Sequence, residues 1–210
     1  MSDFLPLFPL PNVVLFPNVY LPLHIFEPRY REMIADALDG DRLIGMVLLR
    51  PGWEPQYEGR PAVFRIGCSG VITHVERLGD GRYNIVLRGL ERFRIIEENH
   101  DRSYRRAIFE PLAESRLTTE DRDCIRNYRT KLEALLSPAV EKSGADPRTT
   151  GAMSDEDLVN ALAQYLALEP LEKQALLELH GLRNRAESLV ELLEMKIMIA
   201  RTPGVSNVAH

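Results

Sequence analysis

The chain has 210 residues, a net charge of −5 and a hydrophobic share of 45%, which are the values of an ordinary globular protein with one large or two small domains. Residues 1–112 sum to −1 and residues 113–210 to −4, so neither part has the surplus positive charge that drives non-specific binding to nucleic acid. The N-terminus lacks the basic and apolar regions of a signal peptide, and no apolar stretch reaches the roughly 20 residues of a membrane span, so we expect a cytoplasmic protein.

Residues 4–26 contain five prolines among large apolar side chains. Because proline has no N–H to donate to a neighbouring strand, this segment is predicted to form edge strands and turns, and its apolar residues indicate burial. Pro28 then suits the first turn of a helix that ends at Gly40. Residues 42–50 are a short apolar run between two arginines, a pattern typical of a central strand.

The clearest strand pattern lies between residues 64 and 90. Two alternating runs flank Gly79-Asp80-Gly81, and Asp-Gly is a favoured dipeptide in hairpin turns. Residues 91–99 and 104–112 are predicted to be two more strands. About six strands and one helix predict a small closed or half-closed barrel as the first domain, residues 1–112.

After Pro111 the apolar residues follow a helical period. The four predicted helices are residues 119–136, 155–168, 170–180 and 183–200. Ser154 and Asp157 form a capping-box-like start for the second, and Pro170 suits the first turn of the third. Because each has one apolar face, they are predicted to pack as a four-helix bundle over residues 113–201, followed by a tail of residues 202–210. Residues 137–153 are rich in Gly, Pro, Ser and Thr, which predicts a flexible loop.

No catalytic or metal-binding pattern is found in the sequence. It contains no Gly-Lys dipeptide, which excludes the phosphate-binding GxxxxGK[ST] loop. Residues 67–71, Gly-Cys-Ser-Gly-Val, lack the last glycine of a nucleophile elbow, so a strand bend or close backbone contact explains these glycines better. The five histidines have no ligand spacing, and Cys68 lies far from Cys124 in the chain. We therefore expect a protein that is not an enzyme and has no cofactor and no metal.

Two features are candidates for binding. Trp53 and Tyr57 lie in the predicted loop 51–61, and aromatic side chains on loops are favoured interface anchors. The alternative is that Trp53 folds back over the mouth of the barrel. The second feature is an arginine-dense region in which acids are interleaved, so a cross-strand ladder of ion pairs is favoured over a binding patch. The arginines are Arg88, Arg92, Arg94, Arg102, Arg105 and Arg106, and the acids are Glu91, Glu97, Glu98 and Asp101.

Three stretches of the sequence, in this order, resemble the Lon N-terminal (substrate-binding) domain family. They are residues 4–33, residues 65–95 and residues 170–193, with Gly67, Gly81, Gly89, Arg92 and Phe93 at positions that recur in the family. The resemblance implies an α+β protein with an N-terminal PUA-like β pseudo-barrel that includes one short helix, followed by a helical bundle. It also implies a non-catalytic module that binds unfolded or partner polypeptides, a protease among them, as an adaptor or regulator of proteolysis.

Two other functions stay open at this point. PUA-like barrels also occur in RNA-associated proteins, so an RNA-binding module is the alternative, although the near-neutral charge of residues 1–112 argues against it. An enzyme that acts on a small ligand is the third hypothesis, for which the sequence shows no nucleophile–base pair.

Overall fold

The structure, a computed structural model, describes residues 4–57, 59–114, 116–143 (side chains as far as 137) and 153–201. The chain divides into two compact units that alternate along the sequence. The first unit contains residues 1–113 and 160–178, and the second contains residues 114–159 and 179–210. The predicted tail, residues 202–210, and the middle of the predicted loop 137–153 lie outside the described residues. Each described helix falls short of the length and apolarity that crossing a membrane requires.

The first unit is built on one six-stranded sheet. Its strands are β1 (Leu5–Leu10), β2 (Tyr20–Ile25), β3 (Leu43–Leu48), β4 (Ile66–Arg77), β5 (Tyr83–Asn99) and β6 (Arg105–Pro111), with helix α1 (Pro28–Asp39) between β2 and β3. The strand order is β2-β5-β4-β3-β1-β6, and β6 also pairs with β5. Strands β5, β4, β3, β1 and β6 therefore form a closed ring, and β2 pairs with the first half of β5.

This ring is the closed sheet that the strand pattern predicts, with the buried β3 between β1 and β4 as expected for a central strand. Its assignment as a PUA-like pseudo-barrel stays a prediction. The prediction of a separate strand at residues 91–99 is wrong, because these residues are the second half of β5. The first half of β5 pairs with β2 and the second half with β6. A strand can change partners without a break, and alternation alone does not reveal that change.

The prolines of β1 occupy positions where the strand has a neighbour on one side only. Leu5–Leu7 pair with β6 and Leu7–Leu10 pair with β3, so both sides are paired only at Leu7. Pro6 faces β6 and Pro9 faces β3. The expectation of an edge strand is wrong for β1 as a whole, but each proline has a neighbouring strand on one side only, which is where a sheet tolerates proline.

Two glycines are required by the geometry of the sheet. Gly81 closes the β4–β5 hairpin with φ +81°, and the N–H of Leu78 donates to the carbonyl of Arg82 at 2.8 Å, which confirms the predicted turn. At Gly67 in β4, an added Cβ would lie 2.3 Å from the carbonyl oxygen of Met46 and 2.9 Å from the ring of Phe93. The close backbone contact predicted at residues 67–71 is thus confirmed.

The remaining helices are α2 (Thr119–Ser143), α3 (Asp155–Tyr165), α4 (Pro170–Glu178) and α5 (Leu182–Arg201). Their starting points agree with the sequence patterns: the N–H of Asp157 donates to Ser154 Oγ at 3.1 Å, and Pro170 opens α4. The prediction of a loop is wrong for residues 137–143, because α2 continues to Ser143. Composition is a weak guide to where a helix ends, because tertiary context routinely overrides local propensity.

In the second unit α2 and α5 pack against each other. Ile125 and Leu132 of α2 and Ala186 and Leu189 of α5 are buried. Polar bonds join the same two helices: Tyr128 donates to Glu187 at 2.7 Å, and Arg183 donates to Asp121 at 3.2 Å. The buried Arg185 donates to Glu114 at 2.7 Å.

A single four-helix bundle is not confirmed, because residues 160–178 belong to the first unit. These residues bond to the sheet and the loop before β2. The donor–acceptor pairs are Phe16 N–H to Gln164 at 3.2 Å, Gln174 to the Ile66 carbonyl at 2.9 Å and Arg92 to the Leu177 carbonyl at 3.0 Å. A one-sided apolar face predicts that a helix is buried but not which surface covers it. The predicted domain boundary after residue 112 lies one residue from the end of the first segment of the first unit, residue 113. The division of the chain into domains that fold separately stays a prediction.

Replacement of Gly67 tests the close approach in β4. Gly67→Ala is expected to lower the free energy of unfolding by about 1–3 kcal/mol, because the Met46 carbonyl is backbone and must shift. Gly79→Ala is the matched control, since an added Cβ at Gly79 meets nothing within 4 Å. Urea unfolding measures both variants, and equal stabilities would contradict the packing described here.

Candidate functional site

The predicted binding residues Trp53 and Tyr57 lie next to each other. They flank a short 3-10 turn, Glu54–Gln56, and their ring centroids are 5.4 Å apart in an edge-to-face arrangement. We call them the aromatic pair. Both are half-buried and pack against a cluster of core side chains, as the alternative interpretation of Trp53 expects. The cluster comprises Leu5, Leu7, Val47, Leu49, Val63, Phe93, Ile95 and Ala107. Binding of a partner by the aromatic pair stays a prediction.

Tyr57 is fixed to the start of α1. Its hydroxyl donates to Glu27 Oε1 at 2.5 Å, and the same carboxylate accepts from Arg29 Nε at 3.0 Å. The Arg29 guanidinium lies 5.3 Å from the Tyr57 ring centroid and 4.7 Å from that of Tyr30. Burial, and then the hydrogen bond to Glu27, raise the pKa of Tyr57 above its usual range. The loop and the helix thus hold the aromatic pair in one orientation.

A cavity of about 160 Å³ lies beside Tyr57, and we call it the arginine cavity. The polar groups that line it come from α1, the loop after Tyr57 and the start of β6. They are Arg29, Tyr30, Tyr57, Arg60, Ser103, Tyr104 and Arg105, and the other described residues of the lining are Pro9, Leu49, Gly59 and Pro61. No aspartate or glutamate is among the described residues that line it.

Arg105 is the most buried cation of this cavity, with 6% of its surface exposed. It donates to the carbonyl of Pro61 and forms an ion pair of 3.5 Å with Glu98. Burial lowers the pKa of Arg105; Glu98 opposes this effect, whereas the charges of Arg60 and Arg29 add to it. Three guanidinium groups therefore share one small space and repel one another.

Tyr30 presents a donor that no described residue accepts. The side chain is 4% exposed, and its ring packs on Phe8 with centroids 4.5 Å apart. Within the described part of the chain its hydroxyl makes no hydrogen bond, although it lines the arginine cavity. Burial raises the pKa of Tyr30 well above its usual range, and Arg29 and Arg105 act in the opposite direction. The hydroxyl is therefore a protonated donor at neutral pH.

The arginine-dense region forms the predicted cross-strand pairs only in part. Arg105 pairs with Glu98 and Arg94 with Glu110, each at 3.5 Å, between β5 and β6. Arg106 pairs with Asp101 of the β5–β6 loop at 3.1 Å, whereas Arg102 lies near acids of α1. Sequence reasoning missed the approach of Arg29, Tyr30 and Arg60 to Arg105. These residues are distant in the chain, and their proximity follows from sheet pairing, which the sequence pattern does not show.

The outer face of β2 is more exposed than the sequence predicts. Tyr20 is 51% exposed and Phe26, just after the strand, is 59% exposed. The burial expected throughout residues 4–26 is wrong here, because β2 pairs only with β5 and its alternate side chains face outward. The alternation of Tyr20, Pro22 and His24 with leucines is the signal that marks this face.

The described residues contain no group of three or more His, Cys, Asp or Glu side chains that could hold a metal ion. The described residues that line the arginine cavity offer hydrogen-bond donors and positive charge.

Residues 4–195 match the family model described as the ATP-dependent protease La (LON) substrate-binding domain. The chain belongs to this family. The relation predicted from three sequence stretches is thereby confirmed. Lon protease from Flavobacterium johnsoniae is 27% identical over 197 residues, which are 92% of this chain and 24% of that protein. Lon protease 2 from Syntrophobacter fumaroxidans is 29% identical over 181 residues, 85% of this chain and 23% of that protein. The chain thus spans about a quarter of the length of these relatives.

Solved structures of Lon N-terminal domains share the fold. The N-terminal domain of Mycobacterium avium complex Lon protease has a TM-score of 0.71 and 18% identity, and the match covers 91% of this chain and 98% of that one. A Lon N-terminal domain protein from Xanthomonas campestris has a TM-score of 0.59 and 23% identity, with 95% and 99% covered.

The bond between Tyr104 and α1 makes stability sensitive to alkaline pH. The Tyr104 hydroxyl donates to Asp36 Oδ2 at 2.6 Å, and burial followed by this bond raises the pKa of Tyr104 to about 12. Its contribution is complete below pH about 10, the unfolded pKa, and is lost as pH rises toward 12. Between pH 9 and about 11.5, the free energy of unfolding measured with urea is expected to fall less steeply with pH in Tyr104→Phe than in the wild type. Identical slopes would contradict the assignment.

Proposed function

We propose that this protein binds extended or unfolded polypeptide segments as a Lon-type substrate-recognition module. The observation that carries the proposal is the match of residues 4–195 to a substrate-binding domain. The curated relatives are Lon proteases, of whose length this chain spans about a quarter. The proposal includes a cytoplasmic location and a role without catalysis, as an adaptor or regulator of proteolysis.

The aromatic pair is the proposed anchor for the polypeptide. Two fixed aromatic rings supply apolar contact area at little cost in conformational entropy, because their side chains are already ordered before binding. Tyr57 is ordered by Glu27, and Trp53 packs edge-on against Tyr57. Their half-burial leaves part of each ring for a partner while the rest packs on the core.

The arginine cavity supports the same location. Tyr57 belongs both to the aromatic pair and to the lining of the cavity, so apolar and hydrogen-bonding surface adjoin at one place. Binding sites commonly combine an apolar anchor with a few fixed polar groups, since the first supplies affinity and the second orientation.

Binding of an unfolded protein tests this function. A reduced, alkylated and fluorescently labelled test protein is expected to bind the wild type in fluorescence anisotropy, and Trp53→Ala is expected to weaken binding about tenfold or more. Trp53→Leu, which keeps apolar volume against the core, separates loss of the ring from loss of packing. Phe26→Ala is the control, because Phe26 is an exposed aromatic residue outside the aromatic pair.

Two results would contradict the proposal. Failure of the wild type to bind the unfolded protein would refute the function itself. Equal affinity of the wild type, Trp53→Ala and Trp53→Leu would refute the aromatic pair as the anchor. A labelled single-stranded RNA of matched length is run in parallel, and binding of RNA alone would favour the alternative module.

A further inference from the structure

We propose that the arginine cavity binds a carboxylate group carried by the polypeptide, either an acidic side chain or the chain end. This inference rests on the proposed function and names the chemistry that the site selects. It follows from the charge of the cavity, from an unfilled donor in its wall, from its volume and from its position beside the aromatic pair.

The charge in and around the cavity matches a single negative charge. Three guanidinium groups line it, those of Arg29, Arg60 and Arg105. Glu27 pairs with Arg29 at 2.9 Å, and Glu98 pairs with Arg105 at 3.5 Å. Among the described residues one positive charge is left over, and a carboxylate balances it, whereas a dianionic phosphate would leave an excess of negative charge.

Arg60 is the cation with the weakest internal neutralisation. Its guanidinium contacts the ring of His100 and donates to the carbonyl of Arg102 at 3.2 Å. Neither partner carries a negative charge at neutral pH, so the described residues offer Arg60 no ion pair. Arginine binds carboxylates with two parallel N–H donors, which gives such pairs both strength and a defined orientation.

Tyr30 supplies the second requirement, a hydrogen-bond donor that no described residue accepts. Its hydroxyl belongs to a side chain that lines the cavity, so it can donate to a group bound there. Tyr30 is 4% exposed and lines the cavity together with Arg29 and Arg105. A carboxylate in the cavity would accept from this hydroxyl with one oxygen and from arginine with the other.

Volume and position agree with a carboxylate on a chain. The cavity measures about 160 Å³, whereas one water molecule takes up about 30 Å³. It is therefore large enough for a carboxylate group. The ring centroids of Trp53 and Tyr57 are 5.4 Å apart, and Tyr57 lines the cavity. A residue next to the bound acid would thus reach the aromatic pair.

The experiment uses short labelled peptides that share one neutral, apolar sequence. One has a free C-terminus, one is amidated, and two amidated versions carry a central Asp or a central Asn. We expect the Asp peptide to bind the wild type about tenfold more tightly than the Asn peptide, as measured by fluorescence anisotropy. Comparison of the free and amidated peptides shows whether the chain end can supply the carboxylate instead.

Two variants locate the effect in the cavity. Tyr30→Phe removes the unpartnered hydroxyl, and Arg60→Gln removes the least neutralised charge. Each is expected to erase most of the preference for the Asp peptide. Arg94→Gln is the matched control, because Arg94 is an exposed arginine of β5 that pairs with Glu110 and does not line the cavity. If the Tyr30 hydroxyl had only a structural role, Tyr30→Phe would change the stability of the protein and leave its preference for the Asp peptide unchanged. Thermal unfolding of each variant is therefore measured alongside binding.

The outcomes separate this inference from the proposed function. If neutral and acidic peptides bind equally well, the carboxylate site is refuted while polypeptide binding stands. If no peptide binds, but acetate changes the fluorescence of Trp53, the sole tryptophan, in the wild type and not in Tyr30→Phe, the site stands and the proposed function fails. A preference for Asp that survives in both cavity variants refutes the location.

Discussion

Strand β5 is the element on which the rest of the first unit depends. Over 17 residues it pairs with β4, with β2 along its first half and with β6 along its second half. The pairing with β6 closes the ring, because β6 also bonds to β1. Closure removes the free edges that a five-stranded sheet would otherwise expose. It also brings the start of β6 near α1 and the loop after β3, where the arginine cavity forms.

The electrostatics of that cavity are costly for an empty protein. Three guanidinium groups repel one another, and burial removes water that would screen Arg105. Glu98 offsets only part of this cost at Arg105. At Arg29 burial lowers the pKa, but neighbouring groups, Glu27 among them, raise it above its usual range. Proteins tolerate such local costs when the remaining structure is stable enough, and functional sites are where these costs concentrate.

The sequence predicts the elements whose signals are local. The Asp-Gly turn, the proline-opened helices α1 and α4 and the Ser154 cap are set by residues within a few positions of one another, so they are readable in advance. The continuity of β5 and the covering of the sheet by residues 160–178 depend on partners far along the chain. The same limit applies to the site. Trp53 and Tyr57 can be picked out from the sequence as aromatic residues of a loop, whereas the proximity of Tyr30 and Arg60 is visible only in the folded structure.

The interleaving of the two units limits how this module can be passed between proteins. Its first unit needs residues 160–178 as well as residues 1–113. A gene fragment that encodes only the leading segment would leave the Phe16 N–H, the Ile66 carbonyl and the Arg92 side chain without the groups that bond to them. Recombination is therefore expected to transfer the coding sequence of both units together. Insertions in loops are expected to be tolerated better than truncations.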